Sequence, residues 1–134
     1  LPRDLAPTLM NRNKAAWTLQ ILLAVVYLGA GGAKLSTPAE KLRANPQMAW
    51  TNDFSDRAIQ AIGAAEVAGA VGLVAPAAAG VLPILAAGAG AGAAALMLGA
   101  AGTHVSRGES PVAPLVLGAL ALTAAYLRFR QSRS

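Results

Sequence analysis

Glu66 is the single acidic residue in a run, residues 59–76, that contains nothing else more polar than Gln60 and is long enough to cross a bilayer. An ionisable side chain at the centre of a spanning helix costs about 2.5–3.5 kcal/mol on insertion scales, so its default place is a bundle interior, a partner or a wet cavity. Two other groups able to do chemistry close their own apolar segments, Lys34 the first and His104 the third. A carboxyl, an ammonium and an imidazole can hold a polar ligand, carry a proton or clamp helices together. One His with one Glu is too little for a metal site. No nucleophile and base are paired, and Gly88-Ala89-Gly90 is no phosphate loop, since it lies in an apolar segment without a following Lys-Ser or Lys-Thr. The chain is not expected to be catalytic on its own.

The elements that position these groups follow from composition. The chain has 134 residues, 55% hydrophobic and 13% charged, with a mean hydropathy of +0.50, too apolar for a soluble domain of this size. A spanning helix takes about 20 residues at roughly 1.5 Å rise each, so four of them fill the chain. The expected class is all-α, a four-transmembrane-helix bundle with a short interfacial helix between helices one and two. The net charge of +5 comes with only 4% aromatic residues, and the basic residues sit between or outside the apolar segments. They suit topology and lipid headgroups and point away from nucleic acid. With no cysteine there is no disulfide, thiolate metal site or thiol couple, so any redox role is indirect.

The expected spans are residues 15–35, 56–74, 82–104 and 112–127, in a single membrane domain over 15–130 with tails at 1–14 and 131–134. The first tail is charged, carries two prolines, lacks the apolar core of a signal peptide and is expected to be mobile. In the first span Gln20, Ala24, Tyr27, Gly31 and Lys34 recur at intervals of four, three, four and three, one helical stripe that should face protein. In the second, Gln60, Gly63, Glu66 and Ala70 share a side, and Pro76 is expected to end the helix. A short uncharged connection then makes a hairpin with the third span. There Gly88, Gly92 and Gly99, like Gly31 and Gly63, are expected to allow close helix packing. Between spans one and two, Thr37 is the expected N-cap, with Pro38 at the first helical position and Glu40 closing a capping box. That short helix should stop near Asn45-Pro46 and lie at the membrane surface.

Four spans put both termini on one face with six basic residues, against five on the other. The bias favours cytoplasmic termini in a multi-pass protein of the bacterial plasma (inner) membrane. Lys34 and His104 then emerge at one face, where helix two begins. Glu66 lies about ten residues further in, roughly 15 Å along the axis, with Gln60 between. Lysine can bend along its helix, so a water-bridged contact with Glu66 is expected and a direct one is the alternative. Unpaired, Glu66 would carry a proton or donate to a quinone carbonyl; paired, it would be a clamp. The candidate polar pocket is Lys34, Glu66, His104, Gln60 and Tyr27. The plainer roles are helix-end anchors for Lys34 and His104, packing for Tyr27, and a register-fixing hydrogen bond for Glu66.

Residues 29–35 (GAGGAKL), the 63–73 core of the second span (GAAEVAGAVGL) and 97–104 ending the third resemble the DoxX-like family of small bacterial membrane proteins. The resemblance covers roughly residues 15–127. It implies a four-helix membrane fold and maps the family's polar positions onto Lys34, Glu66 and His104. It also implies a link to membrane complexes such as thiosulfate:quinone oxidoreductase, and without cysteine only a quinone-side or assembly role carries over. The leading expectation is an accessory or small-ligand-binding subunit. No cofactor is required, and quinone or lipid are the candidates. The expected partners are the lipid bilayer and other membrane subunits or a second copy of the chain. The alternatives are a purely structural membrane subunit and a proton-coupled exporter using Glu66, similar to the small multidrug-resistance transporters, whose glutamate lies instead in the first helix.

Overall fold

A computed structural model describes residues 3, 5–80 and 83–133. The described chain is all-α: α1 (Leu5–Ser36), α2 (Ala39–Ala44), a 3-10 segment (Pro46–Asp53), α3 (Asp56–Ala78), α4 (Pro83–Ser106) and α5 (Val112–Ser132). Four of these, α1, α3, α4 and α5, are long and apolar enough to cross a membrane. Helix α1 packs on α3, α3 on α4, α4 on α5, and α5 returns to α1. Consecutive spans are therefore neighbours in a four-helix ring, and α1 begins on the face where α5 ends.

The ring is aliphatic outside and small or polar inside. Val25 and Leu98 are 66% and 64% exposed, whereas Gln20 and Leu23 are fully buried. Such an outer surface suits lipid as solvent, and lipid gives no hydrophobic drive for helices to associate. Small residues let the backbones meet instead. The core gathers Ala70, Ala93, Ala94, Ala121 and Ala124 around Leu23, Tyr27, Leu73 and Met97.

Helix ends follow local chemistry. The Ser55 hydroxyl accepts from the Ala58 N–H and starts α3. After α4, Gly108 takes a left-handed φ of 71°. The Gly108 N–H bonds the Val105 carbonyl at 3.0 Å and the Glu109 N–H bonds the His104 carbonyl at 2.8 Å. This Schellman closure turns Glu109 back toward His104.

Several boundaries differ from expectation. Helix α1 starts at Leu5, ten residues before position 15, because Pro7 falls in its first turn and nothing afterwards breaks it. Thr37 caps nothing: Pro38, with ψ 139°, is itself the N-cap of α2 and no side chain caps the helix. The capping box is absent for that reason. Asn45 does end α2 in extended geometry, as a residue before proline must. Pro76 does not stop α3, which runs on to Ala78, since the Ala79 N–H still reaches the Ala75 carbonyl at 3.0 Å. Helix α5 continues to Ser132, so Arg128 and Arg130 are helical. Leu82, the expected start of the third span, lies outside the described residues.

Candidate functional site

Two glycines build the site. An added Cβ on Gly31 of α1 would lie 2.6 Å from the Gly63 carbonyl oxygen of α3, and one on Gly63 would lie 2.9 Å from Lys34 Cβ. Only glycine at both positions allows this approach. One turn along α1, Lys34 therefore reaches across: its Nζ lies 2.9 Å from Glu66 Oε2 and 3.1 Å from Oε1, with a third contact at 3.4 Å to the Ala30 carbonyl. Lys34 and Glu66 are 7% and 5% exposed. The contact is direct and bidentate, not water-bridged, and it uses all three ammonium N–H groups.

Above the pair lies the surface segment between α1 and α3. The Lys34 ammonium sits 5.5 Å from the centre of the Trp50 ring, within cation–π range. Trp50 meets Phe54 edge to face at 5.6 Å. Arg43 holds the segment's end by bonding the Phe54 carbonyl and pairing with Asp56 at 2.6 Å.

Glu66 is the meeting point of two hollows between α3 and α4. One, of about 410 Å³, has an aromatic and aliphatic wall of Trp50, Phe54, Ile62 and Met97, with Glu66, Thr103 and His104 as its polar groups. The other, of about 460 Å³, continues past Glu66 to Tyr27, Gly69 and Gly92. Both are half-open along the exposed side of α4. The structure thus brings Lys34, Glu66, Tyr27 and His104 around one region, although not in one cluster. Tyr27 donates to the Ala93 carbonyl at 3.4 Å.

Two expectations fail here. Gln60 is exposed and lines a separate outer groove with Lys34, because the buried stripe of α3 is Ile59, Gly63, Glu66, Ala70 and Leu73. Gln60 stands one residue off it, about 100° round the helix. Gly88, Gly92 and Gly99 pack against nothing, since a Cβ on any of them would meet no atom within 4 Å. Helix α4 instead presents Gly90 to the Ala121 carbonyl, 3.0 Å from a Cβ built there. Missing side chains at Gly92 and Gly99 help leave the hollows open.

His104 belongs to a surface clasp. Its Nδ1 lies 2.7 Å from Glu109 Oε2, while Arg107 bonds Glu109 Oε1 at 2.6 Å and Asp53 at 2.9 Å. The clasp ties the loop after α4 to the 3-10 segment. Hydrogen bonds from Arg107, then from His104, hold the Glu109 carboxyl below the usual carboxylate range. A depressed folded value stabilises above the unfolded pKa of about 4.3 and is lost as pH falls through the folded value. Acidification below about pH 4 is therefore expected to loosen residues 46–53. Limited proteolysis across pH checks this, and Glu109→Gln should already be loose at pH 7.

A second buried polar group was not legible. Arg128, 3% exposed, donates through Nε to Gln20 Oε1 at 2.6 Å and through Nη1 to Asn13 Oδ1 at 2.9 Å and to Gln131. The Gln20 amide in turn donates to the Leu73 carbonyl, next to the carbonyl that Pro76 leaves without a donor. As the last turn of a span, Arg128 reads in sequence as a headgroup anchor. Only its register with Gln20 places it inside.

Among the described residues no three His, Asp or Glu side chains gather as metal ligands. No match was found among curated proteins or among solved structures. The model of the DoxX-like family matches residues 18–126, a stretch that contains the glycine crossing, the Lys34–Glu66 pair and His104. With four apolar helices ringed around that pair, the chain belongs to the DoxX-like family of membrane proteins.

Proposed function

We propose that the protein holds a small, flat amphipathic molecule, of which a quinol headgroup is the model, in the hollow between α3 and α4. The observation that carries this reading is the lining: an aromatic and aliphatic wall with Glu66 and His104 on the same hollow, reached from the lipid side. This is the usual make-up of a small-molecule site, largely apolar with few polar groups. Because Lys34 spends its three N–H groups on Glu66 and Ala30, the polar end facing the ligand is an acceptor-only carboxylate. It selects a ring that donates O–H and disfavours a bare carbonyl. A chain without cysteine then serves as a holder for a redox partner in the membrane, an accessory role.

The test is thermal unfolding in detergent with a decyl-substituted benzoquinol and with the matching benzoquinone. The quinol is expected to raise the melting temperature and to bind about tenfold or more tightly than the quinone, since a hydrogen bond to a charged group contributes about 1.5–3 kcal/mol. Gly99→Phe, which places a ring where a Cβ has free space, is expected to fold normally and abolish the shift. The same shift in wild type and Gly99→Phe, or none with either compound, rejects the reading.

A further inference from the structure

At the end of the bundle where α1 begins and α5 ends, a buried cation, Arg128, has no counter-ion among the described residues. Arginine carries five N–H donors. In Arg128 one on Nε and two on Nη1 are matched, by Gln20, Asn13 and Gln131, while Nη2 is buried with no partner among the described residues. Each matched partner is a neutral amide, and the remaining neighbour is the Trp17 ring, 5.2 Å from the guanidinium carbon. No described carboxylate serves this end. Glu40, Asp53, Asp56 and Glu109 belong to the opposite face and Glu66 is committed to Lys34; Asp4 lies outside the described residues.

A buried charge that no described carboxylate matches, with unmatched donors, is among the costlier arrangements a protein can hold. Beside it lies a half-open cavity of about 450 Å³, lined by Arg128 together with Arg12, Arg130, Tyr126 and Leu127. Three arginines thus line one hollow at this end of the bundle. The amides and the indole hold the central one in place, so its charge stands at a fixed position behind the cavity wall.

We propose that this cavity binds a phosphate-type oxyanion, held by the exposed Arg12 and Arg130 and supplying the negative charge that the buried Arg128 beside them lacks among the described residues. A tetrahedral oxyanion offers several acceptors to a planar fork, which is why arginine predominates where phosphate is recognised. At this depth the phosphate has two sources, an anionic lipid headgroup or a soluble phosphate. Tyr126 and Leu127 on the wall suit the acyl side of the first. Asn13, Trp17, Arg128 and Gln131 lie outside the stretch matched by the family model, and Gln20 and Tyr126 lie inside it; no residue lining this cavity lines the α3–α4 hollows.

The experiment is thermal unfolding of the full chain in an uncharged sugar detergent at constant ionic strength. The probes are inorganic phosphate and dihexanoyl phosphatidylglycerol; the controls are chloride and dihexanoylglycerol. Stabilisation by a phosphate probe beyond its control is expected, with affinity about tenfold or more lower in the Arg12→Gln/Arg130→Gln variant. Both of those side chains are exposed, so the variant stays interpretable if Arg128→Gln fails to fold. A response to both probes identifies the oxyanion alone as sufficient, and a response to the phosphatidylglycerol only identifies the lipid. No stabilisation beyond the controls, or equal stabilisation of wild type and double variant, overturns the proposal.

Discussion

Lys34→Met is expected to destabilise the protein by about 3–5 kcal/mol, the usual cost of breaking a buried ion pair from one side. The variant leaves the Glu66 carboxyl, 5% exposed, without its bidentate donor, so that it must take up a proton at neutral pH, itself a cost to the folded state. It also removes the ammonium from the Trp50 ring, a contact worth about 0.5–2 kcal/mol. Glu66→Leu is expected to cost a similar amount by stranding the ammonium. The double variant Lys34→Met/Glu66→Leu has no buried charge left, and apolar replacements of such pairs are often neutral or stabilising. It should therefore recover most of the loss. Unfolding of all four proteins in one detergent reads the coupling directly; additive single costs would mean that the two groups do not depend on each other.

Gly31→Ala is expected to cost about 1–3 kcal/mol through overpacking, and Gly88→Ala to be neutral or slightly stabilising. The chemical change is identical, a single methyl. At Gly31 it would lie 2.6 Å from the Gly63 carbonyl oxygen and 2.9 Å from Glu66 Cβ. A backbone carbonyl cannot rotate aside, so α1 and α3 must separate and the Lys34–Glu66 contact must lengthen. At Gly88 the methyl meets nothing within 4 Å, and alanine is the better helix former. Opposite outcomes for these two variants distinguish the observed crossing from a glycine motif spread along α4. Equal destabilisation would place the close contact on the wrong helix.

Much of this was readable from residue order. The stripe of Gln20, Tyr27, Gly31 and Lys34 is buried because a 3.6-residue period and lipid as solvent leave one face for polar groups. The resemblance to the DoxX-like family, carried by the runs around Lys34, Glu66 and His104, agrees with the family match. Periodicity was weaker where every residue is small. In α4, Gly88, Gly90 and Gly92 differ only in phase, and nothing local says which of them turns toward α5. Proline is a weak stop signal at position 76, where α3 continues to Ala78 because the missing donor falls in its last turn. The bidentate geometry of Lys34, the clasp on His104 and the burial of Arg128 depend on partners 32, 5 and 108 residues away, and the two distant pairings come from helix register, which spacing within one helix does not encode.

The central claim is that Glu66 is an ionised carboxylate clamped by Lys34 inside the bundle. Infrared difference spectroscopy in lipid bilayers at neutral pH, wild type minus Glu66→Gln, isolates this one group. The structure predicts an ionised carboxylate band, replaced in the Lys34→Met background by the carbonyl band of a protonated acid. A protonated-acid band already present in the wild-type difference would contradict the clamp.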